Sequence, residues 1–441
     1  MTQPKIVVRK HLNADALFEQ VHLECEKIPD LCDTSIDISV ADALKSGFAM
    51  FSLKDPSLLA FDQRRQDPQK AKNLKTMYHI GTVPCDTQMR VILDQVYPDE
   101  LAPVFNRIFR QAQRGKALEK LVFLDGCYLL SLDGTQYFSS KKIHCPSCLV
   151  TTNPTTGEIT SSHQLLAAAL VHPDSAEVLP VLPEPIQQQD GATKNDCERN
   201  AAKRFLEQFR RQHPHLDVIV TEDGLSSNAP HIRELLRHDM HCILGAKPGD
   251  HTWLFEQVEQ AAQRGETLEF SLQREDVTHR FRCLNAVALN ASNQDLPVNF
   301  LEYWEIHADG TTQHLSWVTD IPLTQDNAFQ VMRGGRARWK IENETFNTLK
   351  NQGDHFEHNY GHGQANLSVV FVLLMMLAFL VDQVLQLTCR LFQAVWRKEG
   401  SKARMWEHVR ALFYSLEFPS MVDILKALLY GYRVERVVIL E

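Results

Sequence analysis

The spacing of apolar residues changes character several times along this chain, and this constrains the fold more than any other feature. Up to about residue 119 the apolar positions recur at helical spacing, as in Asn13–Cys25 and Ser39–Phe51. At Lys120 the pattern changes to strands, with an apolar run from Leu121 to Leu132 that ends in an Asp-Gly pair. The chain is therefore predicted to begin with helices and to continue into a sheet.

An alternating strand and helix pattern follows. It predicts a helix over Lys194–Gln212, a buried strand over Leu216–Val220, a helix near Ala229–His238 and a strand over His241–Ala246. A strand meander followed by this β–α–β–α order is typical of a single mixed sheet with helices on its faces. We therefore predict the α/β class.

A second β-rich block interrupts the α/β pattern. From Thr267 to Pro322 the apolar residues alternate with a period of two and predict four strands. Helical spacing returns at Asp326–Val331 and over Arg336–Asn351. We interpret the block as an all-β domain inserted into the α/β core.

One apolar run needs to be weighed against a membrane-spanning helix. Leu367–Val381 is almost wholly apolar, but it spans only about 15 residues where a bilayer requires roughly 20. A helix buried on all sides gives the same signature, so we predict a core helix and no membrane contact. The beginning of the chain lacks an apolar segment of the length that export requires, which favours a cytoplasmic protein.

The charge distribution permits a nucleic-acid partner without establishing one. The net charge is −9, which argues against such a partner on average. Two basic runs depart from that average, and such runs are more often solvated helix faces than binding sites. They comprise Arg107, Arg110, Arg114, Lys116 and Lys120, and Arg333, Arg336, Arg338 and Lys340. The first overlaps a possible helix-turn-helix over Pro84–Ala112, in which Val91, Ile92 and Val96 would point inward.

The ten cysteines are scattered, as expected of reduced thiols in the cytoplasm. Cys145 and Cys148 have the spacing of a zinc knuckle, with Cys197 and His163 as the nearest further ligands in sequence. A free cysteine pair in a turn is the favoured interpretation, ahead of structural Zn²⁺.

Three acidic residues occupy positions suited to metal-dependent chemistry. Asp133 and Asp223 each follow an apolar strand, and Glu342 lies on the predicted helix Arg336–Asn351. Cleavage of a phosphodiester by two hard cations requires several carboxylate oxygens held on a rigid frame. Taken singly, each aspartate is equally well a strand-end turn residue, and Glu342 an ordinary exposed helix residue. The combination favours a metal site.

Basic residues accompany Glu342 on the same helix. Arg338 precedes it by one turn and Lys350 follows it by two, so all three are expected near one face. Such residues could grip the phosphates of a bound strand, although an ordinary Arg–Glu surface pair would also explain Arg338.

These motifs together resemble those of bacterial insertion-sequence transposases of the DDE class. The resemblance spans roughly Leu121 to Gly363. Leu132–Thr135 resembles the first-aspartate motif, Val220–Leu225 the second, and Ser316–Asp320 the strand that leaves the family's β-rich insertion. Arg338, Glu342 and the residues up to Lys350 resemble its C-terminal signature.

The resemblance implies a ribonuclease-H-like mixed sheet core with an inserted all-β domain, flanked by helical N- and C-terminal regions. It implies a helical DNA-binding domain at 1–119, a catalytic core at 120–265 and 324–396, a β-rich insertion at 266–323 and a helical region at 397–441. Asp133, Asp223 and Glu342 would be the catalytic, metal-binding triad, with Arg338 and Lys350 as DNA contacts.

The implied reaction is hydrolysis at the element's ends followed by strand transfer into target DNA. The cofactor would be Mg²⁺, with Mn²⁺ able to substitute, and the partner double-stranded DNA bound by a homodimer on paired ends. Two features depart from the family pattern. Gly335 stands where a tyrosine is frequent, and Lys350 lies one residue further from Glu342 than is usual. Trp304 and Trp317 could stack on a flipped base as the family's insertion does, but we favour core positions for both.

Two other functions remain open on the sequence. A stand-alone nuclease on the same core would cut DNA without joining ends. An inactive, DNA-binding copy would act as a regulator, although intact acidic residues at all three positions count against it.

Overall fold

A computed structural model describes residues 6–30, 38–187 and 197–432. Its centre is a mixed sheet of eleven strands in the order β2-β3-β1-β6-β7-β11-β10-β9-β8, with β4 and β5 also paired to β3. The α/β class is therefore confirmed. The strands are β1 Tyr128–Ser140, β2 Leu149–Thr152, β3 Ile159–Val171, β4 Leu179–Pro180, β5 Glu184–Ile186, β6 Val218–Glu222, β7 His241–Gly245, β8 Leu268–Arg274, β9 Val277–Ala288, β10 Pro297–His307 and β11 Thr312–Thr319.

Three parallel strands form the middle of the sheet. β1 pairs with β6 and β6 with β7, both in parallel, while β3 runs antiparallel along the other side of β1. β6 is buried along its whole length, as expected of a parallel strand covered on both faces. The turn predicted at Asp133-Gly134 is absent: β1 continues past both residues to Ser140 and pairs with β3 throughout.

The second β block extends the same sheet. β11 pairs antiparallel with β7, with Trp317 opposite Gly245, and β10, β9 and β8 follow outward. The four predicted strands are confirmed, but they do not form a sheet of their own. Period-two spacing reports which residues face the core, and it carries no information about which neighbouring strand completes the ladder.

Fifteen α-helices lie in the described part of the chain. They are α1 Ala14–Cys25, α2 Val40–Ser52, α3 Leu58–Arg65, α4 Pro68–Met77, α5 Asp86–Leu93, α6 Ala102–Arg114, α7 Glu198–Gln212, α8 Ala229–Arg237, α9 Thr252–Gln263, α10 Ala328–Arg336, α11 Asn347–Asn351, α12 Leu367–Thr388, α13 Arg390–Glu399, α14 Lys402–Ser415 and α15 Met421–Tyr430. Short 3₁₀ segments lie at Pro98–Leu101, Leu118–Leu121 and Leu124–Gly126, and a π-helical turn at Ile341–Phe346. The first residues predicted for α7, 194–196, lie outside the described residues.

The long apolar helix α12 joins the N- and C-terminal helical regions. It packs against α2, α6 and α13, and α2 approaches so closely that a Cβ on Gly47 would lie 2.8 Å from Leu374 Cδ1. The apolar core is continuous from Leu12 to Ala427 among the described residues. The N-terminal helices therefore share one core with the C-terminal helices.

The length argument against a membrane helix does not hold, because the helix continues past the apolar run that ends at Val381 and α12 has 22 residues. It is the one helix among the described residues that is long and apolar enough to cross a membrane. Of its most apolar 18-residue window, 94% is buried inside the protein. The prediction of a core helix therefore rests on burial and not on length.

The possible helix-turn-helix consists of α5, a 3₁₀ segment and α6. Met89, Ile92 and Val96 are buried, but Val91 is 46% exposed, so its predicted inward orientation was wrong. Cys85 caps α5, with its Sγ accepting from the Gln88 backbone N–H. Because the helix starts at Asp86, position 91 falls on its outer face.

Candidate active site

The register of β1 and β6 brings Asp133 and Asp223 together. These strands pair in parallel from Tyr128 opposite Val218 to Ser131 opposite Thr221. Asp133 and Asp223 each lie two residues beyond the last pair, on adjacent strands that are about 4.8 Å apart. Asp133 thus stands where the parallel pairing ends, and Asp223 directly follows β6. The two aspartates therefore lie on adjacent strands, each just beyond the last parallel pair.

A turn after β6 holds Asp223 in place. Its Oδ1 accepts a hydrogen bond from the backbone N–H of Leu225 at 2.9 Å, and the backbone N–H of Ser226 donates to its carbonyl at 3.2 Å. In this Asx-type turn the backbone bond of the carboxylate uses one lone pair of Oδ1. The carboxylate therefore retains lone pairs for another partner.

Arg338 connects Glu342 to Asp133. Its Nη1 lies 2.7 Å from Glu342 Oε1 and 3.7 Å from Asp133 Oδ2. The Arg338 carbonyl accepts a hydrogen bond from Ser131 Oγ at 3.2 Å. Ser131 and Asp133 share one face of β1, since side chains alternate along a strand. The segment that carries Glu342 is thereby attached to the strand that carries Asp133.

The helix predicted over Arg336–Asn351 is broken into three parts. α10 ends at Arg336, a π-helical turn spans Ile341–Phe346, and α11 covers Asn347–Asn351. Ile341 and Leu349 are fully buried on either side of Glu342. A π-turn accommodates one more residue per turn than an α-helix, and such turns are frequent at functional sites.

Lys350 has an acidic partner other than Glu342. Its Nζ lies 2.9 Å from Glu357 Oε1. Its role as a DNA contact stays a prediction, whereas the predicted one-turn relation of Arg338 to Glu342 is confirmed.

The pKa of Asp133 is raised by burial first and by neighbouring carboxylates second. Burial raises the pKa of Asp133 from 3.8 to about 7, opposed by Arg338 and reinforced by the carboxylates of Glu342, Glu198 and Asp223. A single guanidinium is therefore insufficient to hold this carboxyl in its ionised form at neutral pH. Additional positive charge at this position would bring the pKa back down.

Glu198 is an acidic neighbour that the sequence analysis missed. It begins α7, and its carboxylate covers Gly134 so closely that a Cβ there would lie 2.1 Å from Glu198 Oε1. Desolvation raises the pKa of Glu198, with further contributions from Asp223 and Glu222. The signal available in the sequence was the glycine after Asp133, which leaves room for a side chain from elsewhere.

A cavity of about 460 Å³ opens beside these carboxylates. It lies beside the middle of β1 and the carboxyl end of β6, between α7 and α8. Its polar lining includes Asp133, Asp223, Glu198, Glu222, Arg199 and His231. Ligands of open α/β sheets bind outside the carboxyl ends of parallel strands, and this cavity has that location relative to β6.

Glu222 supports the cavity floor through a buried pair with His231. His231 Nε2 lies 2.5 Å from Glu222 Oε2, and Ser226 Oγ donates to Glu222 Oε1 at 3.1 Å. Burial lowers the pKa of His231, but the Glu222 carboxylate outweighs this effect and the pKa is raised overall. Since both oxygens of Glu222 have partners, its role is to hold the β6–α8 connection next to Asp223.

The absence of a tyrosine at position 335 has a steric explanation. A Cβ on Gly335 would lie 2.3 Å from the indole Nε1 of Trp317, which is buried. Trp317 thus fills the space that a side chain at 335 would need, and its predicted core position is confirmed. Trp304 is only half-buried, with its ring against His314 and the guanidinium groups of Arg280 and Arg282. Its predicted core position was wrong.

The second basic run is largely neutralised by acidic partners. Arg333 pairs with Asp174, Arg336 with Glu305 and Lys340 with Glu344. The three basic residues line a separate cavity of about 300 Å³ together with Phe329 and His279. The run is therefore only weakly basic as a surface. Trp339 stands out from it, 54% exposed and 5.1 Å from the Arg338 guanidinium.

The cysteine pair lies in a turn, as predicted, with the Cys148 backbone N–H donating to the Cys145 carbonyl at 3.2 Å, and both thiols are free. The pair is not isolated, however: it is buried against His163 and His362, and the ligand atoms of all four residues lie within 4.8 Å of one another. Among the described residues, no other set of three or more His, Cys, Asp or Glu side chains meets that distance, and this includes the three predicted acidic residues. Cys197, the ligand considered from sequence, precedes α7 and lines the acidic cavity instead.

No protein-family model matches this chain, and neither does any curated protein. Among solved structures it is similar to the piggyBac transposase in a synaptic complex with hairpin DNA. The TM-score is 0.41 and the identity 9%, over 98% of this chain and 86% of that chain. A likeness at this level carries no argument about function, which has to come from the residues of the site.

Proposed function

We propose that this chain is a DDE-type transposase that cleaves DNA at the ends of a mobile element and transfers the freed strand into target DNA. The observation that supports it best is the convergence of three distant segments. Asp133 and Asp223 lie on adjacent strands just beyond the last parallel pair of β1 and β6, and Arg338 joins Glu342 to Asp133. This arrangement supports the triad implied by the sequence motifs, and the proposal takes the sheet around it to be a ribonuclease-H-like core.

The donor set fits hard divalent cations. Asp133, Asp223 and Glu342 supply carboxylate oxygens, the ligands that Mg²⁺ and Mn²⁺ prefer, and Glu198 lies close enough to contribute. Burial, with a smaller contribution from the neighbouring carboxylates, raises the pKa of Asp133, and bound cations would favour its ionised form. When bound, two such cations would activate the attacking oxygen and stabilise the leaving one.

The remaining residues would bind and orient the DNA strand. The Arg338 guanidinium contacts Asp133 and Glu342. If cations neutralised these two carboxylates, the guanidinium could donate to a phosphate oxygen beside them. Exposed Trp339, beside it, offers an aromatic face for a base or sugar. Both cleavage and strand transfer are in-line displacements at phosphorus, so one site serves both.

The other parts of the chain complete the proposal. The helices before residue 120 would recognise the element's ends, with the exposed Arg110 and Arg114 on α6 facing the phosphates. A homodimer would act on two paired ends, in the cytoplasm with the nucleoid.

The test is cleavage of a plasmid that carries the reading frame with its native flanks, in the presence of Mg²⁺ or Mn²⁺. Wild type is compared with Glu342→Gln and with Glu344→Gln, two residues away on the same π-turn and paired to Lys340. We expect metal-dependent nicks at the element's ends with wild type and Glu344→Gln. Glu342→Gln should lower the rate by at least about 10³-fold.

The pattern of products separates this proposal from its rivals. Cleavage without dependence on terminal sequences, and without joined products, would indicate a nuclease. Specific binding of the ends without cleavage by wild type would indicate an inactive regulatory copy. Equal cleavage by Glu342→Gln and wild type would remove Glu342 from the site.

A further inference from the structure

A second potential metal site lies away from the acidic cavity and is formed by the cysteine pair. Cys145 and Cys148 lie between β1 and β2, His163 lies on β3, and His362 lies between α11 and α12. All four side chains are buried, at 1–8% exposure. Buried thiols and imidazoles grouped in this way are typical ligands of Zn²⁺.

The distances between the four ligand atoms match a tetrahedron around one ion. Zinc bonds of 2.3 Å to sulfur and 2.0–2.1 Å to nitrogen give edges of about 3.8 Å for S–S and about 3.6 Å for S–N. The two Sγ atoms are 3.7 Å apart. Cys145 Sγ lies 3.3 Å from His163 Nε2, and Cys148 Sγ lies 3.4 Å from the same nitrogen and 3.5 Å from His362 Nε2. Each of these four distances lies within about 0.3 Å of the corresponding edge of the tetrahedron.

A disulfide and a hydrogen-bonded cluster explain the geometry less well. A disulfide requires the sulfurs to be about 2.05 Å apart. Thiol–imidazole hydrogen bonds would join pairs of atoms, yet His163 Nε2 is almost equally distant from both sulfurs. All four ligand atoms lie within 4.8 Å of one another, a clustering that neither alternative requires.

Aromatic packing holds the two imidazoles in this orientation. Tyr137 stacks on His163 at 5.9 Å and 17°, and Phe138 packs on His362 at 4.5 Å. Both Nδ1 atoms are buried without a hydrogen-bond partner in the described part of the chain. The rings are therefore positioned by shape, with the same nitrogen of each facing the thiols.

We propose that Cys145, Cys148, His163 and His362 bind one structural Zn²⁺. Both thiols would lose their protons to solvent on binding, and two thiolates with two neutral imidazoles make the complex electrically neutral. A neutral complex suits a buried location. Four protein ligands leave no open position, so the ion would be structural rather than catalytic.

The ion would connect parts of the chain that are far apart in sequence. Cys148 and His362 are 214 residues apart. Binding would join the antiparallel pair of β1 and β3 to the segment that follows Glu342. β1 carries Asp133. The zinc site does not depend on the proposed transposase activity, because it rests on a separate set of residues.

The test is the metal content of untagged protein purified without chelators, measured by inductively coupled plasma mass spectrometry. We expect about one zinc per chain in wild type. Cys148→Ser and His362→Ala should lose most of it. His144→Ala removes the exposed histidine beside Cys145, and Cys197→Ser removes the thiol considered from sequence, so both should keep the zinc.

A spectroscopic measurement on wild type keeps the test valid if the ligand variants do not fold. Replacement by Co²⁺ should give tetrahedral d–d bands together with thiolate-to-metal charge transfer. Folded wild type that contains no zinc and takes up neither Zn²⁺ nor Co²⁺ would overturn the proposal. Retention of zinc by folded Cys148→Ser and His362→Ala would overturn it as well, because the ion would then lie elsewhere.

Discussion

At the scale of single residues, Asp133 is the most perturbed group in the acidic cavity. Burial is the main cause of its raised pKa of about 7; the Arg338 guanidinium opposes this shift, and the nearby carboxylates add to it. A carboxyl in this state releases its proton more easily when a cation approaches. Metal binding should therefore weaken as the pH falls below about 7, because protons compete for the same oxygens.

The same pKa predicts how stability depends on pH without divalent metal. The folded state holds the Asp133 proton more tightly than the unfolded chain, whose pKa is near 3.8. Stability is therefore lost as the pH rises from about 4 to about 7. Asp133→Asn should raise the thermal midpoint by a few degrees at about pH 8 and leave it nearly unchanged at about pH 4.

The matched control for this measurement is Asp217→Asn, an exposed carboxylate just before β6. It should change the midpoint little at either pH. An equal midpoint for Asp133→Asn and wild type at pH 8 would contradict the raised pKa of Asp133. Addition of Mg²⁺ should stabilise wild type and not the variant.

Gly335 allows a second prediction at the residue scale. Alanine is favoured over glycine within a helix by about 0.5–1 kcal/mol. Gly335→Ala in α10 would therefore stabilise the protein if there were room for the added methyl group. Here the Cβ would lie 2.3 Å from the buried Trp317 indole, and overpacking costs about 1–3 kcal/mol. We expect a net loss in the free energy of unfolding, measured by chemical denaturation. Gly249→Ala, with no heavy atom within 4 Å of its added Cβ, should not show this loss.

At the scale of secondary structure, α12 supports the helical half of the molecule. It is buried on nearly all sides, and Leu374 is in contact with α2 at Gly47. An apolar helix in a bilayer would face lipid instead. The core position therefore has measurable consequences for stability.

Leu374→Ala should lower the free energy of unfolding by about 2–5 kcal/mol, because it leaves a cavity in a packed core. Val91→Ala removes methyl groups from a half-exposed side chain on α5 and should cost less than about 1 kcal/mol. Denaturant unfolding in detergent-free buffer checks both. Equal, small effects would contradict the burial of α12.

The elements that sequence could predict are those determined by local spacing. The strands around Asp133 and Asp223 and the helices α7 and α8 follow from apolar periodicity, as do the four strands of the second β block. The one-turn relation of Arg338 to Glu342 follows from helical geometry. Residue type and position alone were sufficient for each of these.

Other features depend on contacts between distant segments and could not be predicted. The pairing of β7 with β11 depends on which strand edges meet in the folded chain. The approach of Glu198 to Gly134 depends on how α7 crosses the sheet. The π-turn at Ile341–Phe346 leaves no mark on apolar spacing over so few residues. His362 could not be assigned to the cysteine pair because 214 residues separate it from Cys148.

At the scale of the whole molecule, one sheet brings two remote carboxylates onto adjacent strands, and an arginine connects a third to them. The two are Asp133 on β1 and Asp223 directly after β6, and Arg338 connects Glu342 to Asp133. With a net charge of −9, the chain would bind DNA through local surfaces, and such binding should weaken steeply with added salt. We propose that the three carboxylates form one site for divalent cations.

The most direct measurement is a titration with Mn²⁺ followed by electron paramagnetic resonance, in which the signal of the free aqua ion is lost on binding. We expect wild type and Glu344→Gln to bind Mn²⁺ alike. Asp133→Asn, Asp223→Asn and Glu342→Gln should each weaken binding by at least about 10-fold. If any of these three variants binds Mn²⁺ as wild type does, that residue lies outside the site and the triad is wrong.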